Sequence, residues 1–200
     1  LRSWIASSDI LVLGNDETCR FAVDAINRVI FLRLSQLLLS QSESSTRRSY
    51  LVLDEVREAG KLDGLSSLLT KGRSKGVSVC PGFQDNDGMR AVYGKEVADE
   101  MLGQIAQKVI LRLESPSSAE WSSELFGDRE QPRGEESIKR GGAEKQDANN
   151  ADREQRRLIL PSEFLSLPPC NMANGLTGYS LCPMIGAYKF HLSGQQIAQL

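Results

Sequence analysis

The sequence predicts an α/β fold: a mainly parallel sheet flanked by helices. Two observations carry this expectation. Short apolar runs alternate with helix-length amphipathic segments from the start of the chain to Gly127, the order of strands joined by crossover helices. The run Tyr50-Leu51-Val52-Leu53 is apolar throughout and ends in Asp54-Glu55, as expected of a parallel strand buried on both faces.

Taken in order, Trp4 to Leu13 reads as a strand closed by Gly14-Asn15-Asp16. Asp16 or Thr18 is placed to cap the following helix, Phe21 to Leu39. Its apolar residues cover more than one face, as suits a helix packed on a sheet and touched by a neighbour. Gln41 to Arg48 is a Ser-rich charged loop leading to the Tyr50 strand. Gly60 to Gly64 turns the chain into a short helix, Leu65 to Lys71, with Leu65, Leu68 and Leu69 inward. A second strand spans Val77 to Phe83, and Cys80 within it reads as a small buried hydrophobe. Helices follow at Asn86 to Tyr93 and Lys95 to Ala106, then a strand at Lys108 to Leu113. A helix at Ser117 to Phe126, capped near Ser115, holds Trp121 and Phe126 as core residues. From Asp128 to Arg157 polar and charged residues dominate, which marks a flexible insert or a weakly ordered hairpin. Pro161 to Leu165 is a short helix with proline in its first turn. Gly175 to Leu200 is strand and turn material. The expected division is therefore 1–127, a polar insert at 128–157, and a sheet-closing extension at 158–200.

Composition narrows the classes. The 200 residues are 40% hydrophobic and 25% charged, with a net charge of −2. That balance suits a globular domain and gives no global basic field for nucleic acid, so any DNA contact must come from a local patch or from assembly. The four cysteines have no CxxC spacing, and the single His191 has no ligand partners nearby in sequence. Nothing demands an oxidising compartment, and the chain reads as cytoplasmic. No apolar stretch approaches the ~18–20 residues of a membrane span. The absence of an initiator Met suggests a piece of a longer protein.

The chemistry concentrates between Tyr50 and Gln84. Acids at the C-terminal end of a parallel strand lie where open α/β sheets bind ligands. In the pattern of a Walker B element, Asp54 would hold Mg²⁺ through its water shell and Glu55 would polarise a water against a γ-phosphate. On the pair alone, the competing reading is two acids in the first turn of a helix. Gln84, at the end of the second strand, is placed to sense a phosphate. Arg73 lies in the basic turn Lys71-Gly72-Arg73-Ser74-Lys75-Gly76. It is either an arginine finger acting in trans on a neighbouring subunit or a plain helix-end charge. Arg57, Lys71 and Lys75 are lesser candidates. Lys61, Arg90 and Lys95 are possible DNA contacts, but no basic-aromatic interleaving marks a single-strand platform.

Four groups of residues together resemble the motor domain of type IV secretion coupling proteins, the TraG/TraD family. They are Leu51-Val52-Leu53-Asp54-Glu55; Leu68 to Val77 around Lys71-Gly72-Arg73; Gly82-Phe83-Gln84-Asp85 with Tyr93-Gly94; and Ala119-Glu120-Trp121 with Phe126-Gly127, Leu160 to Phe164 and Leu167-Pro168. The resemblance covers most of residues 1–170. It implies a RecA-like P-loop ATPase that uses ATP and Mg²⁺ and assembles as a ring, expected to be a hexamer. It further implies a place at the cytoplasmic face of the bacterial inner membrane. Its implied partners are single-stranded DNA, the relaxase or relaxosome, and the secretion channel proteins. One departure stands out: no G-x-x-x-x-G-K-[ST] string occurs in these residues, so the backbone cradle for phosphates is not among them. The chain therefore reads as the C-terminal part of the motor. A non-enzymatic recruitment module of the same fold is the rival. A stand-alone Mg²⁺ phosphohydrolase would need more carboxylates at strand ends.

Overall fold

A computed structural model describes residues 1–14, 16–132 and 153–199. They divide into two compact units, 1–106 and 107–200.

The first unit opens with a short helix α1 (Arg2–Ile5), followed by the long helix α2 (Arg20–Leu39). The expected strand at Trp4 to Leu13 does not form. Residues 6–14 carry no regular structure, and Ile10 and Val12 are 90% and 80% exposed. Apolar composition favours a strand only where a neighbour completes the ladder. Here the segment is tied instead by single bonds, Trp4 Nε1 to the Asp9 carbonyl (2.7 Å) and Asn27 Nδ2 to the Gly14 carbonyl (2.8 Å).

Strand β1 (Ser49–Leu53) then leads through a loop to helix α3 (Leu65–Lys71), a 3₁₀ turn at Arg73–Lys75, and strand β2 (Val77–Pro81). The two strands are parallel and in register from Ser49↔Val77 to Leu53↔Pro81. Helix α3 is the crossover, so the connection is the βαβ unit expected of the spacing. Helices α4 (Asn86–Tyr93) and α5 (Lys95–Gln104) complete the unit, joined by Arg90 to Asp99 (2.8 Å). The core gathers Phe31, Leu34, Leu38, Leu51, Val56, Leu65, Leu68 and Met89.

The strands are not buried on both faces as expected. Leu51 and Val77 point into the core, whereas Tyr50 and Val52 are 70% and 75% exposed. By register Ser78 and Cys80 share that outer face, and both are exposed. The reading of Cys80 as a buried residue fails for this reason: α2 and α3 cover one side of the two-stranded sheet, and period-2 alternation puts Cys80 on the other.

In the second unit, strand β3 (Lys108–Ile110) ends earlier than expected and does not extend the parallel sheet. Helix α6 (Pro116–Phe126) starts at a Ser115 cap. Strands β4 (Asp128–Pro132) and β5 (Arg153–Arg157) pair antiparallel, and the middle of the expected polar insert lies outside the described residues. Helix α7 (Pro161–Leu165), strands β6 (Leu176–Cys182) and β7 (Gly186–Leu192), and helix α8 (Gly194–Ile197) follow. Strands β3, β6 and β7 form one antiparallel sheet in that order. Its core is aromatic. The rings of Phe126, Phe164 and Tyr179 lie 5.1–6.2 Å apart, tilted or edge-on, as ring quadrupoles prefer. Trp121 is half-buried rather than core.

Candidate functional site

Asp54 and Glu55 leave the C-terminal end of β1 into a loop, not into a helix. Residues 56–59 form turns and the next helix begins only at Leu65. The reading of the acids as helix-capping charges has no helix to support it.

The loop is held close to the end of β2. Gly82 N–H donates to the Leu53 carbonyl (2.6 Å), and Val56 N–H donates to the Gly82 carbonyl (3.0 Å). A Cβ on Gly82 would lie 2.3 Å from the Asp54 carbonyl oxygen. Only glycine permits this approach, and it brings the strand end that carries Gln84 against the acid pair. Gln84 itself is exposed, two residues past the contact.

A cleft of about 410 Å³ opens beside β1. Tyr50, Val52, Asp54 and Glu55 line one side, and Leu11, Leu13, Asn27 and Arg28 are among the residues lining the remainder. Asp54 is exposed, while Glu55 is half-buried with its Oε1 shielded from water and without a hydrogen-bond partner. A buried carboxylate oxygen left unsatisfied is costly. At a cleft wall it is the kind of acceptor that a bound water or a hydrated cation completes.

Charged neighbours fix the same loop. Glu58 accepts a short hydrogen bond from Arg20 at the start of α2, and Arg20 also faces Glu17 and Asp24 at 3.7 Å each. The hydrogen bond to Glu58, then the nearby carboxylate charges, raise the Arg20 pKa above its ordinary value. On the other side Arg57 faces Asp85 at 3.8 Å.

Arg73 is not brought to the acid pair. It sits in the turn before β2, where Ser49 N–H meets the Gly76 carbonyl, and its exposed side chain has no partner among the described residues. Because β1 and β2 are parallel, that turn lies at the N-terminal end of the strands, a strand length or about 15 Å from Asp54 and Glu55 at the C-terminal end. Lys71 is exposed and Lys75 half-buried beside it. Of the possible DNA contacts, Arg90 is occupied by Asp99 and Asp87, while Lys61 and Lys95 are exposed. His191 is an exposed strand residue whose Nδ1 lies 2.8 Å from Thr177 Oγ1.

The family model of the type IV secretion-system coupling protein DNA-binding domain matches residues 1–183. The chain belongs to this family. Among solved structures, the bacterial conjugative coupling protein TrwBdeltaN70 in an unbound monoclinic form is 26% identical, with a TM-score of 0.69, over 86% of this chain and 38% of that one. Its trigonal form in complex with sulphate gives 24% identity and a TM-score of 0.75 over 96% of this chain and 43% of that one. Plasmid coupling protein TrwB in complex with ADP and Mg²⁺ gives 25% and 0.66 over 88% and 37%. The coupling-protein chain thus spans about two fifths of these structures. Comparison with curated proteins found no match.

The motif residues that first suggested the family divide between two roles. Ala119, Phe126, Phe164 and Leu167 are core of the second unit. Glu120 pairs with Arg157 at 3.0 Å, and Glu163 accepts from Leu160 N–H (3.1 Å) and Tyr179 Oη (2.9 Å). Of the motif groups, Leu51–Glu55 lines the cleft, and Gly82–Asp85 is joined to the acid loop through the backbone bonds of Gly82. Of the residues that hold the loop, Arg57 was a lesser candidate and Tyr93 a motif residue, whereas Arg20 and the partners of all three were not legible. Arg20–Glu58 and Tyr93–Leu62 are contacts across 38 and 31 residues, and no spacing rule in one sequence signals such pairs.

Proposed function

We propose that this chain is the C-terminal part of a RecA-like motor in a type IV secretion coupling protein, and that the intact protein hydrolyses ATP to drive single-stranded DNA or protein substrates to the secretion channel. The observation that carries this reading is the acid pair at the C-terminal end of a parallel strand, with a buried unpaired Glu55 oxygen at a cleft. Family membership and the TrwB complexes with nucleotide and Mg²⁺ support it.

Asp54 is the residue suited to hold a hydrated Mg²⁺, which when bound neutralises phosphate charge. Glu55 orients the attacking water and takes its proton. Gln84, fastened to the acid loop through Gly82, senses the phosphate. Arg73 cannot serve the acid pair of its own subunit across the sheet, so its role is in trans, at a neighbouring subunit of a ring expected to be a hexamer. Among the described residues no helix is long and apolar enough to cross a membrane. Attachment to the inner membrane, and binding of relaxase and channel proteins, are assigned to the intact protein.

In the intact coupling protein, Glu55→Gln is expected to abolish turnover and to spare nucleotide binding. Hydrolysis at the wild-type rate would refute the assignment. One second reading is a recruitment module that keeps the fold without catalysis. Nucleotide binding by the intact protein with no hydrolysis, in wild type as in Glu55→Gln, would select that module.

A further inference from the structure

Helix α4 is fastened to the loop beyond the acid pair at both of its ends. At its start, Asp85 accepts from Gly88 N–H as the N-cap and faces the Arg57 guanidinium at 3.8 Å. The Arg57 side chain runs over Gly88, where a Cβ would lie 2.9 Å from the arginine Cδ. At the last residue of the helix, the Tyr93 hydroxyl accepts from Leu62 N–H at 3.1 Å and faces the Gly60 carbonyl at 3.5 Å. Between these points Met89 is buried in the same core cluster as Val56 and Leu62. Burial raises the Tyr93 pKa, so the phenol stays neutral. Gln84 is the residue immediately before the N-cap.

We propose that Arg57 and Tyr93 are positioning residues that, with Asp85, clamp α4 along residues 57–62 so that Gln84 and Glu55 move as one body. This rests on the motor reading above, in which those two side chains serve one site. An exposed ion pair of this kind contributes little by itself. Two attachments about 12 Å apart along an eight-residue helix, over a buried middle, resist rotation as well as sliding. They also give Tyr93, a motif residue far from the acids in sequence, a specific task. A shift at Gln84 is carried to the acid loop along α4 as well as through Gly82.

Two measurements test this. In the intact protein, hydrogen exchange is followed for residues 54–62 and 82–88 in wild type, Arg57→Ala, Arg57→Lys and Tyr93→Phe. In the intact protein, kcat and KM for ATP are measured for the same variants, with Glu55→Gln as control. The expected result is faster exchange in both segments for Arg57→Ala and Tyr93→Phe. The kcat should fall about ten- to a hundredfold at unchanged KM, as for small misplacements of reacting groups. Arg57→Lys should recover part of both. Exchange that speeds up in only one segment overturns the clamp. So does coupled exchange with wild-type kcat while Glu55→Gln is inactive. Active Glu55→Gln refutes the motor reading instead, and the exchange pattern then decides the clamp alone.

Discussion

Gly82 is where the end of β2 lies against the acid loop, and Gly82→Ala loads that contact directly. The added Cβ would sit 2.3 Å from the Asp54 carbonyl oxygen and 3.3 Å from that of Leu53. A carbon and a carbonyl oxygen come to rest near 3.3 Å, so the two chains must separate by about 1 Å. The separation falls on the bonds Gly82 N–H to Leu53 and Val56 N–H to Gly82. At about 1 kcal/mol for each bond, their loss costs about 2 kcal/mol. With a urea dependence of about 2 kcal/mol per molar, the unfolding midpoint of the chain should drop by about 1 M. The same displacement moves Asp54 and Glu55, and a misplacement of that size costs about a hundredfold in rate. Urea titration followed by circular dichroism, alongside ATP turnover of the intact protein, measures both effects. A Gly82→Ala protein with the wild-type midpoint and wild-type kcat would refute the argument that this close approach sets the acid pair in place.

Two further outcomes are expected. Arg73→Ala should reduce turnover of the assembled protein by about a thousandfold, the lower range for loss of an arginine finger. A 1:1 mixture with Glu55→Gln should regain activity at about a quarter of the interfaces, the statistical share in a head-to-tail ring; no recovery would count against action in trans. The Tyr179 phenol is pushed up to about 12, first by burial and then by its bond to Glu163. An unfolded tyrosine ionises near pH 10, so the stability tied to this proton is full below about pH 10 and is lost as pH rises through about 12. The gap in melting temperature between wild type and Tyr179→Phe should therefore narrow over that window, and a constant gap from pH 9 to 12 would contradict it.

Much of the first unit was legible because its boundaries are written in local chemistry. Gly64 before Leu65, Asp85 before Asn86 and Gly94 between two helices act within a few residues, and α3 and α4 begin and end where those signals predict. The same holds for the Ser115 cap of α6, which starts one residue before the expected Ser117, and for Pro161 at the start of α7. The place of the acid pair at a strand end was legible because a four-residue apolar run followed by carboxylates constrains where the strand stops. What failed depends on partners distant in sequence. Ile10 to Leu13 has strand composition but no paired neighbour among the described residues. Lys108 to Ile110 joins β6, roughly seventy residues downstream, so its apolar run says nothing of the sheet it enters. The attachments of the acid loop by Arg20, Arg57 and Tyr93 likewise join residues that only folding brings together.

The uncovered face of the β1–β2 pair has a practical consequence. Tyr50 and Val52 present apolar surface to water beside a strand edge unpaired among the described residues, an arrangement prone to self-association. The 200-residue chain handled alone should therefore be kept dilute and in reducing buffer. Cys80 stands on the same face, next to Val52 by register. Its thiol is a native chemical reporter of that surface: alkylation at Cys80, read against the buried thiol of Cys182, tells whether the face is open or shielded in any preparation, without the introduction of a label site.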